Sequence, residues 1–180
     1  MFRTTNGILN ILLILALMSV PMILPVNAGG ERSAPSSPPF PTLQRGALAI
    51  IVHKSNPVQN LSLAELREYF LAERGYWSTR QKIRVAMREP GSPEREVVLR
   101  LICGMNRDLD FTTYFLHAKF SEQVTEEPRN LDSASNMIRF VANVSGAIGY
   151  VRADEVDPSV RVITVDNASP GDPGYKLILR

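Results

Sequence analysis

Arg88, Gly91 and Ser92 are the residues of this chain whose types and spacing could do chemistry. They lie in Arg88-Glu89-Pro90-Gly91-Ser92-Pro93, between an apolar run from Ile83 to Met87 that reads as a strand and a helical pattern from Glu94 to Cys103. Gly91 permits a tight turn, Ser92 offers a hydroxyl, and Pro93 suits the first helical position, where its missing N–H costs little. The N–H groups that open a helix are unsatisfied and the local dipole is positive. Arg88, four residues before Ser92, brings a planar fork of donors to the same point, so the segment could cradle an oxyanion. A plainer arrangement uses the same residues: Ser92 only caps its helix, and Arg88 pairs with Glu89 or Glu94. Spacing alone leaves both open.

Composition removes most other chemistry. Cys103 is the only cysteine, which excludes a disulfide within the chain and a cysteine-based zinc cluster. His53 and His117 are the only histidines, too far apart for a histidine-spaced metal motif. Cys103 falls on the apolar side of its helix and reads as a small buried hydrophobe with no base beside it. No Gly-rich nucleotide loop, serine elbow or paired catalytic carboxylate stands out, so no enzyme activity and no cofactor are expected. With 20 basic and 18 acidic side chains, the chain has no cationic footprint for nucleic acid. Tyr69, Phe70, Tyr76 and Trp77 read as packing around a helix end rather than a sugar or peptide pocket. Tyr114, Phe115 and His117 likewise read as packing, and Glu122, Glu126 and Glu127 as a solvated face. The sequons at Asn60, Asn143 and Asn167 would matter only in a eukaryotic secretory route.

The elements that must position the loop follow from apolar patterning. Ala47 to Val52 is a continuous apolar run, as expected of a strand buried on both faces. Ser62 should cap a helix over Leu63 to Leu71, in which Leu63, Leu66, Phe70 and Leu71 recur at helical spacing. The helix after Pro93 should turn Val97, Val98, Leu101 and Ile102 inward. Phe111 to Phe120 and Ala134 to Val141 are further helical patterns, and Ala147 to Val151 and Val160 to Val165 are strands. Strands separated by helices imply an α/β domain with a largely parallel or mixed sheet.

At the N-terminus, Arg3 precedes the apolar stretch Ile8 to Leu24, followed by Val26-Asn27-Ala28. This is the layout of a secretory signal, with cleavage expected after Ala28; the apolar stretch contains Pro21 and is short against the roughly 20 residues a membrane span needs. Residues 29–42 are rich in proline and serine and read as an extended linker. The folded lobe should occupy 43–166, with 167–180 as a C-terminal tail.

Three stretches, in order, resemble the second lobe of periplasmic phosphate-binding proteins of the type II solute-binding superfamily. Asn60-Leu61-Ser62-Leu63 with Phe70-Leu71 and Trp77 is similar to that family's LS…IF-G…W helix and loop. Arg88-Glu89-Pro90-Gly91-Ser92 is similar to its R-x-x-G-S anion loop, and Gly146-Ala147-Ile148-Gly149-Tyr150-Val151 matches its GAIGYV turn and strand. The resemblance implies a single lobe of that fold. It further implies an exported binding protein that takes phosphate or another oxyanion through Arg88, Gly91 and Ser92, with an ABC permease as partner. The family's G-S-G-T is Gly91-Ser92-Pro93-Glu94 here: Pro93 removes a donor, and the Glu94 carboxylate would repel an anion. The family's first lobe has no counterpart in these residues, so tight binding would call for a second chain or a homodimer. The alternative is an interaction or sensing module of the cell envelope that keeps the lobe fold without solute binding.

Overall fold

A computed structural model describes residues 46–124 and 126–179. The expected signal segment and linker lie outside the described residues.

The apolar run expected as a doubly buried strand is β1 (Leu48–His53), and every residue from Leu48 to Val52 is fully buried. β2 (Asn60–Leu61) leads into α1 (Leu63–Phe70). Ser62 caps that helix through a reciprocal capping box with Glu65, which satisfies two of the otherwise orphaned N–H groups. β3 (Arg84–Arg88) runs through the Arg88–Ser92 loop into α2 (Pro93–Val98). There follow α3 (Asp108–Phe120), β4 (Arg129–Leu131), α4 (Ala134–Asn143), β5 (Ala147–Arg152) and β6 (Val160–Val165).

The strands form one mixed sheet in the order β2-β6-β1-β5-β3-β4. β1 is antiparallel to both neighbours, β5 and β6, whereas β3 is parallel to β5 and β4 and β2 is parallel to β6. β1 alone therefore runs against the other strands. Side chains of adjacent strand residues point to opposite faces, and β5 shows what covers each. Met137 and Val141 of α4 pack over Gly149, while Tyr150 on the other face meets Phe70 of α1 at 5.9 Å between ring centroids. Helices thus cover both faces, as a nearly parallel sheet requires.

Two departures from the sequence reading have local causes. The helix that starts at Pro93 widens into a π-turn over Leu99–Cys103. The wider turn shifts the helical phase, so Leu99, Ile102 and Cys103 are buried and Leu101, expected inside, reaches the surface. β2 and β4 were not anticipated because two or three residues carry no periodicity to read. Residues 175–179 lie along the start of β1: Leu48 N–H donates to Leu177 O at 2.8 Å, Leu179 N–H to Gly46 O at 2.7 Å and the Tyr175 hydroxyl to Leu48 O at 2.6 Å. Tyr175 and Leu177 are buried there.

Gly146 is where two segments touch most closely. Its carbonyl accepts the Trp77 indole N–H at 3.0 Å and the Arg84 N–H at 3.1 Å, and a Cβ at this position would stand 2.1 Å from Lys82 O. Because that neighbour is backbone, the clash cannot be relieved by a rotamer change. Gly146→Ala is expected to cost about 2 kcal/mol or more, measured by urea unfolding. Retention of wild-type stability would show that the β3–β5 approach is looser than described.

Candidate oxyanion loop

β3 ends with Arg88, whose backbone N–H is held by the Tyr150 hydroxyl at 2.9 Å. The chain then turns through Gly91, whose φ of +85° favours glycine. Ser92 closes the turn by donating its N–H to Glu89 O at 3.3 Å, and its hydroxyl oxygen accepts the Arg95 N–H as the N-cap of α2. Arg88, Gly91 and Ser92 therefore share one short loop at the end of a strand, as the sequence implied.

Their functional groups are largely engaged elsewhere. Arg88 donates Nη2 to the Asp132 carbonyl at 2.8 Å; its Nε is buried with no hydrogen-bond partner. The Gly91 N–H points to Asp108 Oδ2 at 3.4 Å. Arg88 forms an ion pair with neither Glu89 nor Glu94 among the described residues. Glu94 is instead buried, at 5% exposure, and pairs with Arg152 Nε at 2.5 Å across 58 residues of sequence. Burial pushes the Glu94 carboxyl up. Its own backbone N–H, the hydrogen bond and charge of Arg152, and the nearby Arg88 charge outweigh burial and hold it below the usual carboxylate range.

Beneath the loop lies Arg95, 3% exposed. Its guanidinium donates to Arg88 O at 2.8 Å and Asn130 Oδ1 at 2.9 Å, pairs with Asp108, and lies 5.1 Å from the centre of the Phe111 ring. Sequence reasoning passed over Arg95 and Arg152. Arg95 had a faint signal, since it shares a helical face with Val98. Arg152 had none, because its partner is on another element.

No group of His, Cys, Asp and Glu suited to a metal ion occurs among the described residues. Cys103 is buried and its thiol is pushed up to about 12, chiefly by loss of hydration, so it is no nucleophile at neutral pH. Trp77 is buried against Tyr69, with ring centroids 4.9 Å apart. Trp77 and Phe70 pack the core, Tyr69 packs there and also lines a pocket beside Lys82 and Arg84, and Tyr76, expected to pack, is exposed. Among the described residues, no helix is long and apolar enough to cross a membrane.

The fold is that of one lobe of a phosphate ABC transporter substrate-binding protein. The chain is similar to such a protein from Clostridium perfringens solved with bound phosphate, at 26% identity and a TM-score of 0.55, over 69% of this chain and 46% of that one. An ABC-type phosphate transport receptor from Vibrio cholerae gives 26% identity and a TM-score of 0.56, over 69% and 48%. PstS from Borrelia burgdorferi, at 14% identity and a TM-score of 0.56 over 73% and 53%, shares the fold. The chain spans about half the length of these structures. No protein-family model matches it, and no curated protein matches it significantly.

The Glu94–Arg152 pair should be visible in acid. A carboxyl lowered in the folded state binds fewer protons than in the unfolded chain. Its stabilisation is therefore full above the ordinary value of 4.5 and is lost as pH falls through the lowered folded value. Glu94→Gln should flatten that part of the stability–pH curve, as read by urea midpoints between about pH 6 and 3. An unchanged slope would remove Glu94 from the linkage.

Proposed function

We propose that this chain is an exported, non-catalytic lobe of the phosphate-receptor type that works as an interaction module of the cell envelope, its anion loop closed by its own carboxylate. The observation that carries this reading is the buried Glu94–Arg152 pair. A carboxylate in the first turn of α2 compensates the helix dipole, pairs with Arg152 and sets a negative charge near Arg88. A second anion beside it would meet like charge at low hydration, which costs several kcal/mol and cancels millimolar to micromolar affinity. The likeness to binding proteins points away from catalysis. An ABC permease is the kind of envelope partner that the likeness suggests.

One observation favours a second reading, capture of phosphate or another oxyanion through Arg88, Gly91 and Ser92. The Arg88 Nε is a buried donor without a partner, and an unsatisfied donor of that kind is costly to keep. In that case Glu94 would have to leave the loop, or a second chain would have to complete the cleft.

Calorimetric titration with phosphate, sulfate and molybdate separates the two. The module reading expects wild-type binding weaker than about 1 mM. It expects Glu94→Thr to gain at most a weak, nonselective site, with Arg88→Ala matching wild type. Micromolar phosphate binding that Arg88→Ala abolishes would overturn the module reading and establish the second.

A further inference from the structure

α3 is apolar on two opposite sides. Phe111, Phe115 and Ala118 are buried in the core, yet Leu109, Leu116 and Phe120 are exposed at 63%, 54% and 81%. At 100° per residue, Leu109, Thr113, Leu116 and Phe120 fall within a sector of about 60° on the outer side, a continuous stripe along the helix. Large apolar side chains aligned in this way form one continuous patch rather than scattered exposure.

We propose that this stripe is the interface of an isologous dimer in which α3 packs antiparallel against α3 of a second copy of the chain. A two-fold axis at the middle of the stripe sets Leu109 opposite the second copy's Phe120 and Thr113 opposite its Leu116. Leu109 then packs on Phe120, and Leu116 meets the smaller Thr113, in a self-complementary register. The charged flanks fit the same arrangement. α3 carries Asp108 and Asp110 in its first turn and His117 and Lys119 in its last. Asp110 and His117 flank the stripe on one side, Asp108 and Lys119 on the other. In an antiparallel pair like flanks meet, so Asp110 faces the second copy's His117 within about 3 Å of the same level along the axis, while Asp108 stays with the chain's own Arg95. The two helix dipoles also oppose favourably. An anionic membrane surface fits this stripe poorly, because such surfaces call for lysine and arginine flanks and the first turn here is acidic. The stripe itself includes none of the loop residues, and the dimer stands whether or not the loop takes an anion.

Sedimentation equilibrium of the purified chain up to about 1 mM tests this. The wild type should associate to a dimer, and Leu116→Glu or Phe120→Glu should weaken association at least about tenfold. Circular dichroism must remain native, with the milder Leu116→Ser as a second variant should the charged ones unfold. Asp110→Lys should weaken the dimer, and combining it with His117→Asp should restore it, which a merely sticky patch would not do. A wild type that stays monomeric, a dimer that ignores these substitutions, a charge swap without rescue, or vesicle binding in place of self-association would each overturn the proposal.

Discussion

A single buried guanidinium holds the end of this lobe that carries the Arg88–Ser92 loop together. Arg95 ties the end of β3 to β4 through Arg88 O and Asn130, and ties both to the start of α3 through Asp108, with the Phe111 ring close by. A cation removed from water is tolerated only when its donors are matched, and here the matches come from three separate elements. Loop conformation follows from this arrangement. With Arg88 O and the Ser92 cap both tied to Arg95, the turn has little freedom to open without leaving a buried charge exposed to an apolar surround.

Glu94 and Arg152 form the second electrostatic joint, at the seam between α2 and the end of β5. Together the two pairs place an arginine beneath the loop and a carboxylate beside it. Both pairs stand at the strand–turn–helix corner that carries the loop. The Arg88 Nε is left there without a hydrogen-bond partner.

The likeness to phosphate-binding proteins is a likeness of scaffold first. It extends over about 70% of this chain at a TM-score near 0.55, while identity ranges from 14% to 26% among the structures compared. In this chain Gly146 faces the Lys82 carbonyl and Ser62 completes a capping box, positions where backbone geometry permits little else. α3 is apolar on its outer side as well as on the side packed against the core.

The local pattern of the chain was enough to place β1, α1, β3, α4, β5 and β6, because each rests on periodicity or capping within a few residues. It was also enough to bring Arg88, Gly91 and Ser92 into one turn, since five consecutive residues cannot lie far apart. Whether that turn could hold a guest was not readable. The partner of Glu94 sits 58 positions away, that of Arg88 sits 44 away, and neither separation leaves a trace in local spacing. The same holds for the π-turn that put Leu101 at the surface and for the short strands β2 and β4, which exist only because longer strands lie beside them. Short-range sterics and burial thus wrote the elements into the sequence. Charge pairing between elements, settled only once β5 lay against α2, decided the chemistry of the corner.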